Sequence, residues 1–401
     1  MVFLSSIAGY FSGIIPGIHV NTIIPALLML DAKPIMLTAV IVSFSISQIF
    51  SDYLTSVYFG VPDVSNPLNV LPAHRLTMKG RGYEAFKLSI IGVLGSILIT
   101  IIITFLIMPI FPSFYSYVRQ YVLYLILFVV FYTLLTEQNI MKIAISFVVF
   151  LLSGLLGLLV LNTSLVSRTN SLLPMLTGLF GLSQILVSLF EKSKLPKQKT
   201  DEKINMKLNS LIKAIFIGSV AGIVAGFLPG IGVSQAVMLF SPFLPNTREF
   251  LVATASVSGS NEVFSFSSMY MVGNPRSGAS VAVKRLFQDF TFFHFLFITS
   301  VMLISSAISF YISLRIGKVF PRMISKVDYR KLNIFIATFL ILIVYSFTGF
   351  HGVLILLTST SLGIFSILKG IKRVHMMGCL LLPTMLFFSG FYYSALSLLG
   401  I

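Results

Sequence analysis

The chain has 401 residues, of which 56% are hydrophobic and only 10% are charged. Soluble domains carry about 25% charged residues, so this composition excludes an ordinary soluble domain and indicates an integral membrane protein. The formal net charge is +16, but 20 of the 28 Lys and Arg residues lie in four short segments: 75–87, 191–213, 315–331 and 369–373. Such clustering is typical of cytoplasmic loops rather than of a nucleic-acid-binding surface.

Continuous apolar runs predict membrane-spanning helices. About 20 apolar residues are needed to cross a hydrocarbon core, and these runs lack the alternation of barrel strands. Suitable runs lie at 88–111, 120–136, 143–162, 211–228, 290–314, 332–348 and 374–399. Together with shorter apolar pieces, they predict an all-α integral membrane protein with about 10–12 transmembrane or re-entrant helices.

The first apolar stretch is interrupted by the motif Gly13-Ile-Ile-Pro16-Gly17. Such a break frees backbone N–H and C=O groups, which is tolerable in a membrane only where they face protein or a water-filled cavity. The half-helix after the break presents its N-terminal amides, which suit an anion. The first-half candidates for solute binding are Gly13, Pro16, Gly17, His19, Asn21 and Thr22. For His19 three roles stay open: solute contact, proton carrier, or structural hydrogen bond to a carbonyl.

The next predicted helix carries a polar stripe. Its residues Ser45, Gln48, Asp52 and Thr55 are spaced by three and four positions, which places them on one helix face. Polar stripes in membrane helices either hold helices together or line a pathway. Because an intramembrane carboxylate is costly, Asp52 is a candidate for binding a coupling proton or sodium ion, with Gln48 beside it.

A basic linker at residues 191–211 divides the chain into membrane repeat 1 (1–190) and membrane repeat 2 (212–401). A shift of 213 positions superposes the first half on the second without a gap, and thirteen of the 57 positions from 6 to 62 are then identical. Several of these are Gly or Pro, which determine backbone shape. The placement of the basic loops predicts that the two repeats are inverted in the membrane.

The second half repeats both features. Its break is followed by Ser234 and Gln235, the equivalents of Asn21 and Thr22, and its polar helix carries the carboxylate Glu262. The tract 273–280 can bind an anion through its arginine and exposed N–H groups. The second-half candidates for solute binding are Gly226, Pro229, Gly230, Ser234, Gln235, Asn261, Asn274 and Arg276. Glu262 and Ser265 are candidates for the coupling ion.

These motifs resemble the large membrane subunit of the tripartite tricarboxylate transporters, the TctA-like permeases, of which the chain looks like a divergent and shortened member. The resemblance rests on the paired Pro-Gly motifs, on Lys79-Gly-Arg-Gly82 within 55–92, and on Asn261-Glu262 through Gly278. It implies a multi-pass permease of the cell membrane that carries a carboxylate, driven by a proton or sodium gradient. The partners it implies are a small membrane subunit and an extracytoplasmic solute-binding protein.

Two other classes remain open at this point. One is a membrane-embedded enzyme acting on lipid-linked substrates, and the other is a non-transporting channel or scaffold. The sequence contains no Walker-A or Rossmann pattern and no His, Glu and Cys cluster with the spacing of metal ligands. We therefore expect neither a cofactor nor catalysis, and transport that is not powered by nucleotide hydrolysis in this chain.

Overall fold

The computed structural model describes residues 1–14, 20–28, 32–59, 70–167, 170–190, 196, 198–199, 204–228, 231–324 and 329–400. It is 84% helical, and the described residues include no strand. The predicted all-α membrane fold is therefore confirmed.

The described residues of the first half form ten α-helices. Their bounds are α1 Val2–Gly13, α2 Val20–Leu28, α3 Pro34–Phe59, α4 Val70–Thr77, α5 Gly82–Ile107, α6 Phe111–Arg119, α7 Val122–Leu135, α8 Ile140–Asn162, α9 Leu172–Leu176 and α10 Ser183–Phe190. A π-helical segment, Thr177–Leu182, joins the last two.

In the second half, the residues that the structure describes form eight α-helices and two short 3-10 helices, Ser241–Phe243 and Arg373–Met377. The α-helices are α11 Leu208–Phe227, α12 Val233–Phe240, α13 Thr247–Val272, α14 Gly278–Leu286, α15 Phe292–Ile324, α16 Tyr329–Leu368, α17 Gly378–Ser389 and α18 Tyr392–Leu398. Helix α16 is broken at Gly349, whose φ of 64° is non-helical.

Seven helical segments in the described part of the chain are long and apolar enough to cross a membrane, or up to nine if each of two bent helix pairs counts as one span. The bent pairs are α6 with α7, at 74°, and the segment 373–389 with α18, at 118°. The short apolar helix α1 and the segment Val233–Phe243 are additional membrane-embedded candidates.

Helices at matching positions of the two halves have matching bounds. Helices α3 and α13 are both 26 residues long and begin 213 positions apart. Helix α1 crosses α3, and α11 crosses α13, at equivalent glycines. A Cβ atom on Gly9 would lie 2.7 Å from Phe44 Cα, and one on Gly222 would lie 2.6 Å from the Val257 carbonyl oxygen. Phe44 and Val257 are themselves 213 positions apart, so the two halves share one helix-crossing geometry.

Contacts between the halves show that α13 runs parallel to α5. Ser256 Oγ donates a hydrogen bond to the Gly92 carbonyl oxygen at 3.0 Å. Further along both helices, Thr104 Oγ1 donates to Ser267 Oγ at 3.3 Å. Small side chains allow this close approach. Helices in a membrane associate through such packing and through hydrogen bonds, because the hydrophobic effect does not favour their association in lipid.

Helix α3 is related to α15 in the same way. Ser309 Oγ donates to Ser47 Oγ at 2.8 Å, and further along both helices the Phe320 and Tyr58 rings lie 5.6 Å apart. The end of α3 also meets the start of α5, where Tyr58 and Phe86 lie 6.5 Å apart. Helices α3 and α5 are therefore antiparallel, and so are the equivalent helices α3 and α13.

Candidate functional site

The second break lies between α11 and α12. Helix α12 begins after Gly232, whose backbone N–H donates to Gln235 Oε1 at 3.0 Å. Ser234 and Gln235 are buried, at 0% and 1% exposure. In the part of the chain that the structure describes, Ser234 Oγ and Gln235 Nε2 have no hydrogen-bond partner. Two buried donors are therefore available at the start of this half-helix.

The tract after α13 brings a third donor to the same break. Arg276 Nη2 donates to the Phe227 carbonyl oxygen, at the end of α11, at 2.8 Å. Its Nε is buried and lacks a partner among the described residues. Asn274 Nδ2 donates to the Tyr115 hydroxyl at 2.5 Å, so its side chain is engaged by α6. The two predicted residues therefore have different contacts: Arg276 lies at the break, and Asn274 holds the tract against α6.

Aromatic side chains cover one side of the second break. The ring of Phe111, on α6, lies 5.6 Å from Phe227 and 5.1 Å from Phe264, with edge-to-face geometry in both pairs. Phe114 adds a further contact with Phe227, at 6.1 Å. An apolar wall beside unpartnered donors lowers the local dielectric, which strengthens their attraction for an anion.

The first break faces the polar stripe of α3. The backbone N–H of Val20, at the start of α2, donates to Gln48 Oε1 at 2.7 Å. A Cβ atom on Gly13, at the end of α1, would clash with Ser51 Oγ and would lie 3.0 Å from Asp52 Oδ1. The structure therefore brings three predicted residues, Gly13, Gln48 and Asp52, together at this break, where oxygen acceptors and a carboxylate predominate.

Several predicted residues lie outside the described residues: Pro16, Gly17, His19, Pro229 and Gly230. Asn21 and Thr22 lie on α2, but their side chains are not among those described. Their proposed roles stay predictions.

Glu262 connects the two halves. Its Oε1 accepts hydrogen bonds from Ser45 Oγ of α3, at 2.6 Å, and from Ser277 Oγ, at 3.1 Å. Ser277 is the N-cap of α14, which packs against α2 and α3. Because Ser45 precedes Gln48 by less than one helical turn, Glu262 lies between the polar groups of the first break and the tract that carries Arg276.

Ser265 and Asn261 have structural contacts. Ser265 Oγ accepts the backbone N–H groups of Arg276, at 2.9 Å, and of Ser277, at 2.6 Å. A Cβ atom on Gly226 would lie 3.3 Å from the Asn261 carbonyl oxygen, so the two predicted residues meet where α11 crosses α13. Ser265 shapes the tract that positions Arg276 and does not point freely into a site.

Sequence reasoning missed Ser277 and Tyr115. Ser277 has a recognisable signal, because its side chain caps Ser280 N at 3.1 Å in the spacing of a capping box. Tyr115 has none, because its contact with Asn274 depends on the packing of α6. The structure also buries Glu137 and His375 and pairs them 2.9 Å apart. The described residues contain no group of three or more His, Cys, Asp or Glu suited to a metal.

Comparisons with known proteins identify a family for the chain. The model of the tripartite tricarboxylate transporter TctA family matches residues 1–378. A protein of Methanocaldococcus jannaschii that is named only as uncharacterized is 29% identical over 400 residues, which cover 96% of this chain and 98% of the relative. No solved structure matches the chain.

Proposed function

The chain belongs to the TctA family of tripartite tricarboxylate transporters, and from this premise we propose that it is a secondary active permease for a small organic anion, a carboxylate, whose site lies at the paired helix breaks. Membership of a transporter family makes the chain a transporter component and supports the proposal that it is not an enzyme. The carboxylate solute, the site and the gradient that drives transport are the parts that we propose.

The observation that carries the proposal is the set of buried donors at the second break. Ser234 Oγ, Gln235 Nε2 and Arg276 Nε are all hydrogen-bond donors, and none has a partner among the described residues. Buried polar atoms are normally hydrogen-bonded, because leaving one unpaired costs about 1–3 kcal/mol. A carboxylate accepts several such bonds, and the start of α12 adds its positive dipole end.

The first break has the opposite character and supports a role in coupling. It presents Gln48 Oε1 and the Asp52 carboxylate beside the C-terminal end of α1, and helix C-termini and carboxylates favour cations. We assign Asp52, with Gln48, to the coupling proton or sodium ion. Glu262 is the second coupling candidate, because within the described residues its carboxylate accepts hydrogen bonds from two hydroxyl groups and not from a cation.

The helix directions support inverted repeats. Equivalent helices α3 and α13 are antiparallel, as two inverted halves require. In this arrangement each half supplies one break to a shared central region, and rocking of one half against the other exposes that region to each side in turn. We extend the proposal to the cell membrane, with a small membrane subunit and an extracytoplasmic solute-binding protein as partners.

Ser234→Ala tests the proposed site, with citrate as the probe. Losing one hydrogen bond to a charged group costs about 1.5–3 kcal/mol, so the Kd for citrate should rise about 10–100-fold. The thermal midpoint of the solute-free protein should not fall, because the Ser234 hydroxyl has no partner within the described structure. Binding is measured by calorimetry in detergent, and uptake in proteoliposomes under an imposed proton or sodium gradient.

Ser146→Ala is the matched control, since this α8 serine is equally buried and its hydroxyl also lacks a partner among the described residues. It should bind citrate like the parent. Parent-like citrate binding by Ser234→Ala would refute the site. Non-saturating conductance would favour a channel, and a parent protein without uptake of any carboxylate would favour a scaffold.

A further inference from the structure

A buried carboxylate lies outside the two breaks and is not used by the proposed transport site. Glu137 lies in the turn between α7 and α8, and its side chain is only 2% exposed. Its Oε1 accepts the backbone N–H of Lys372 at 2.9 Å and contacts His375 Nε2 at 2.9 Å. The His375 side chain is 1% exposed. One carboxylate oxygen therefore holds both ends of the segment 372–375.

Other contacts hold the same segment on its remaining sides. Lys372 Nζ donates to the Thr136 carbonyl oxygen at 2.6 Å, and Lys142 Nζ donates to the Gly370 carbonyl oxygen at 3.1 Å. Arg373 donates to Gln184 Oε1 of α10. Ser153 Oγ, on α8, donates to the His375 carbonyl oxygen at 3.3 Å. The short 3-10 helix Arg373–Met377 is thus fixed to α8, α10 and the turn at Glu137.

The far end of this 3-10 helix reaches the second break. A Cβ atom on Gly232 would lie 3.3 Å from Met377 Cε. Met377 itself is buried, at 5% exposure. Gly232 is the residue whose N–H is held by Gln235 Oε1, the same side chain whose Nε2 lacks a partner among the described residues. Met377 therefore forms a wall of the break at the start of α12.

We propose that Glu137 and His375 are positioning residues, which fix the segment 372–377 so that Met377 closes over Gly232 at the second break. The pair acts through Met377 and has no contact with the solute. This inference rests on the proposed function, which assigns the solute site to the second break. The position of Met377 is measurable without transport.

The test uses the reactivity of a cysteine at position 377. Met377→Cys is combined with Cys379→Ala, which removes the chain's one native thiol. The rate of labelling by N-ethylmaleimide then reports how well the segment is held. Glu137→Ala removes the shared acceptor and should raise the labelling rate at least tenfold. Glu137→Gln keeps a carbonyl acceptor, so it should restore slow labelling.

A second pair of variants covers the case in which Glu137→Ala does not fold. His375→Leu keeps the volume but removes the donor, and should also label at least tenfold faster, whereas His375→Gln keeps a donor and should label like the parent. Glu249→Ala is the control, because Glu249 is similarly buried, at 7% exposure, but lies in the first turn of α13. In citrate uptake, the disruptive variants should raise the half-saturating concentration about tenfold with little change in maximal rate.

Unchanged labelling in both disruptive variants, or equal acceleration in Glu249→Ala, would overturn the inference even if the parent transports citrate. Faster labelling in a protein whose parent takes up no carboxylate of any kind would leave the positioning role intact and refute the proposed function instead. The two failures are thereby separated.

Discussion

At the scale of residues, the polar side chains of α3 and α13 serve two purposes that the sequence does not separate. Some hydroxyls join helices, as Ser309 does with Ser47 and Thr100 with Ser260 at 2.7 Å. Others surround an ionisable group, as Ser45 does at Glu262. The sequence left both interpretations open, and the structure assigns them residue by residue.

Ser45→Ala tests the contact that joins the two halves. It removes a hydroxyl that donates to a buried carboxylate, so the free energy of unfolding should fall by about 1.5–3 kcal/mol. Thermal unfolding in detergent measures the change. Ser43→Ala is the control, because the Ser43 hydroxyl donates only within its own helix, to the Ala39 carbonyl oxygen. Equal shifts for the two variants would contradict a special role for the Ser45–Glu262 bond.

At the scale of helices, the predicted breaks correspond to real ends of helices. Helix α1 ends at Gly13, α11 ends at Phe227, and α13 ends at Val272, just before Gly273, whose φ of +68° favours glycine. The predicted apolar run 332–348 likewise ends at the non-helical Gly349, where α16 is broken. Boundaries of this kind are predictable because glycine and proline act locally on the backbone.

Helices cross closely where one of them carries a glycine, and Gly222→Ala tests the crossing of α11 and α13. The added methyl group would lie 2.6 Å from the Val257 carbonyl oxygen, which belongs to backbone and cannot rotate away. Overpacking of this kind costs about 1–3 kcal/mol, so the thermal midpoint should fall. Gly9→Ala, at the equivalent crossing, should behave alike.

Gly181→Ala is the control for these variants. A methyl group there would have its nearest neighbours at 3.9 Å, an ordinary van der Waals contact. The control should therefore leave the thermal midpoint close to that of the parent. If Gly222→Ala and Gly181→Ala behave alike, the close crossing of α11 and α13 is not a feature of the folded protein.

At the scale of the whole molecule, helix directions place equivalent loops at opposite ends of the bundle. The turn before α5 contains the exposed Lys79, and the turn before α15 contains the exposed Asp289. Because α3 and α15 are parallel while α3 and α5 are antiparallel, these two turns lie on opposite faces. The basic residues around Lys79 favour the cytoplasm for that face.

Single cysteines test this topology. In a Cys379→Ala background, Asp289→Cys should react with a membrane-impermeant maleimide on intact cells. Lys79→Cys should react only after the membrane is permeabilised. Reaction of both positions from one side would exclude inverted repeats.

The sequence by itself determined the membrane class and the helical fold, because the length of a hydrophobic run acts locally on the chain. The duplication, and the roles of Ser234, Gln235, Asp52 and Glu262 at the breaks, are predictions from the same sequence. Only the tertiary structure decided which of these side chains are paired. The Ser45–Glu262 bond joins residues 217 positions apart, and the Glu137–His375 contact joins residues 238 positions apart. A local sequence pattern cannot predict which residues pair over such distances along the chain. Whether a buried polar atom finds a partner depends on how helices from both halves pack, and at the second break three donor atoms have no partner among the described residues.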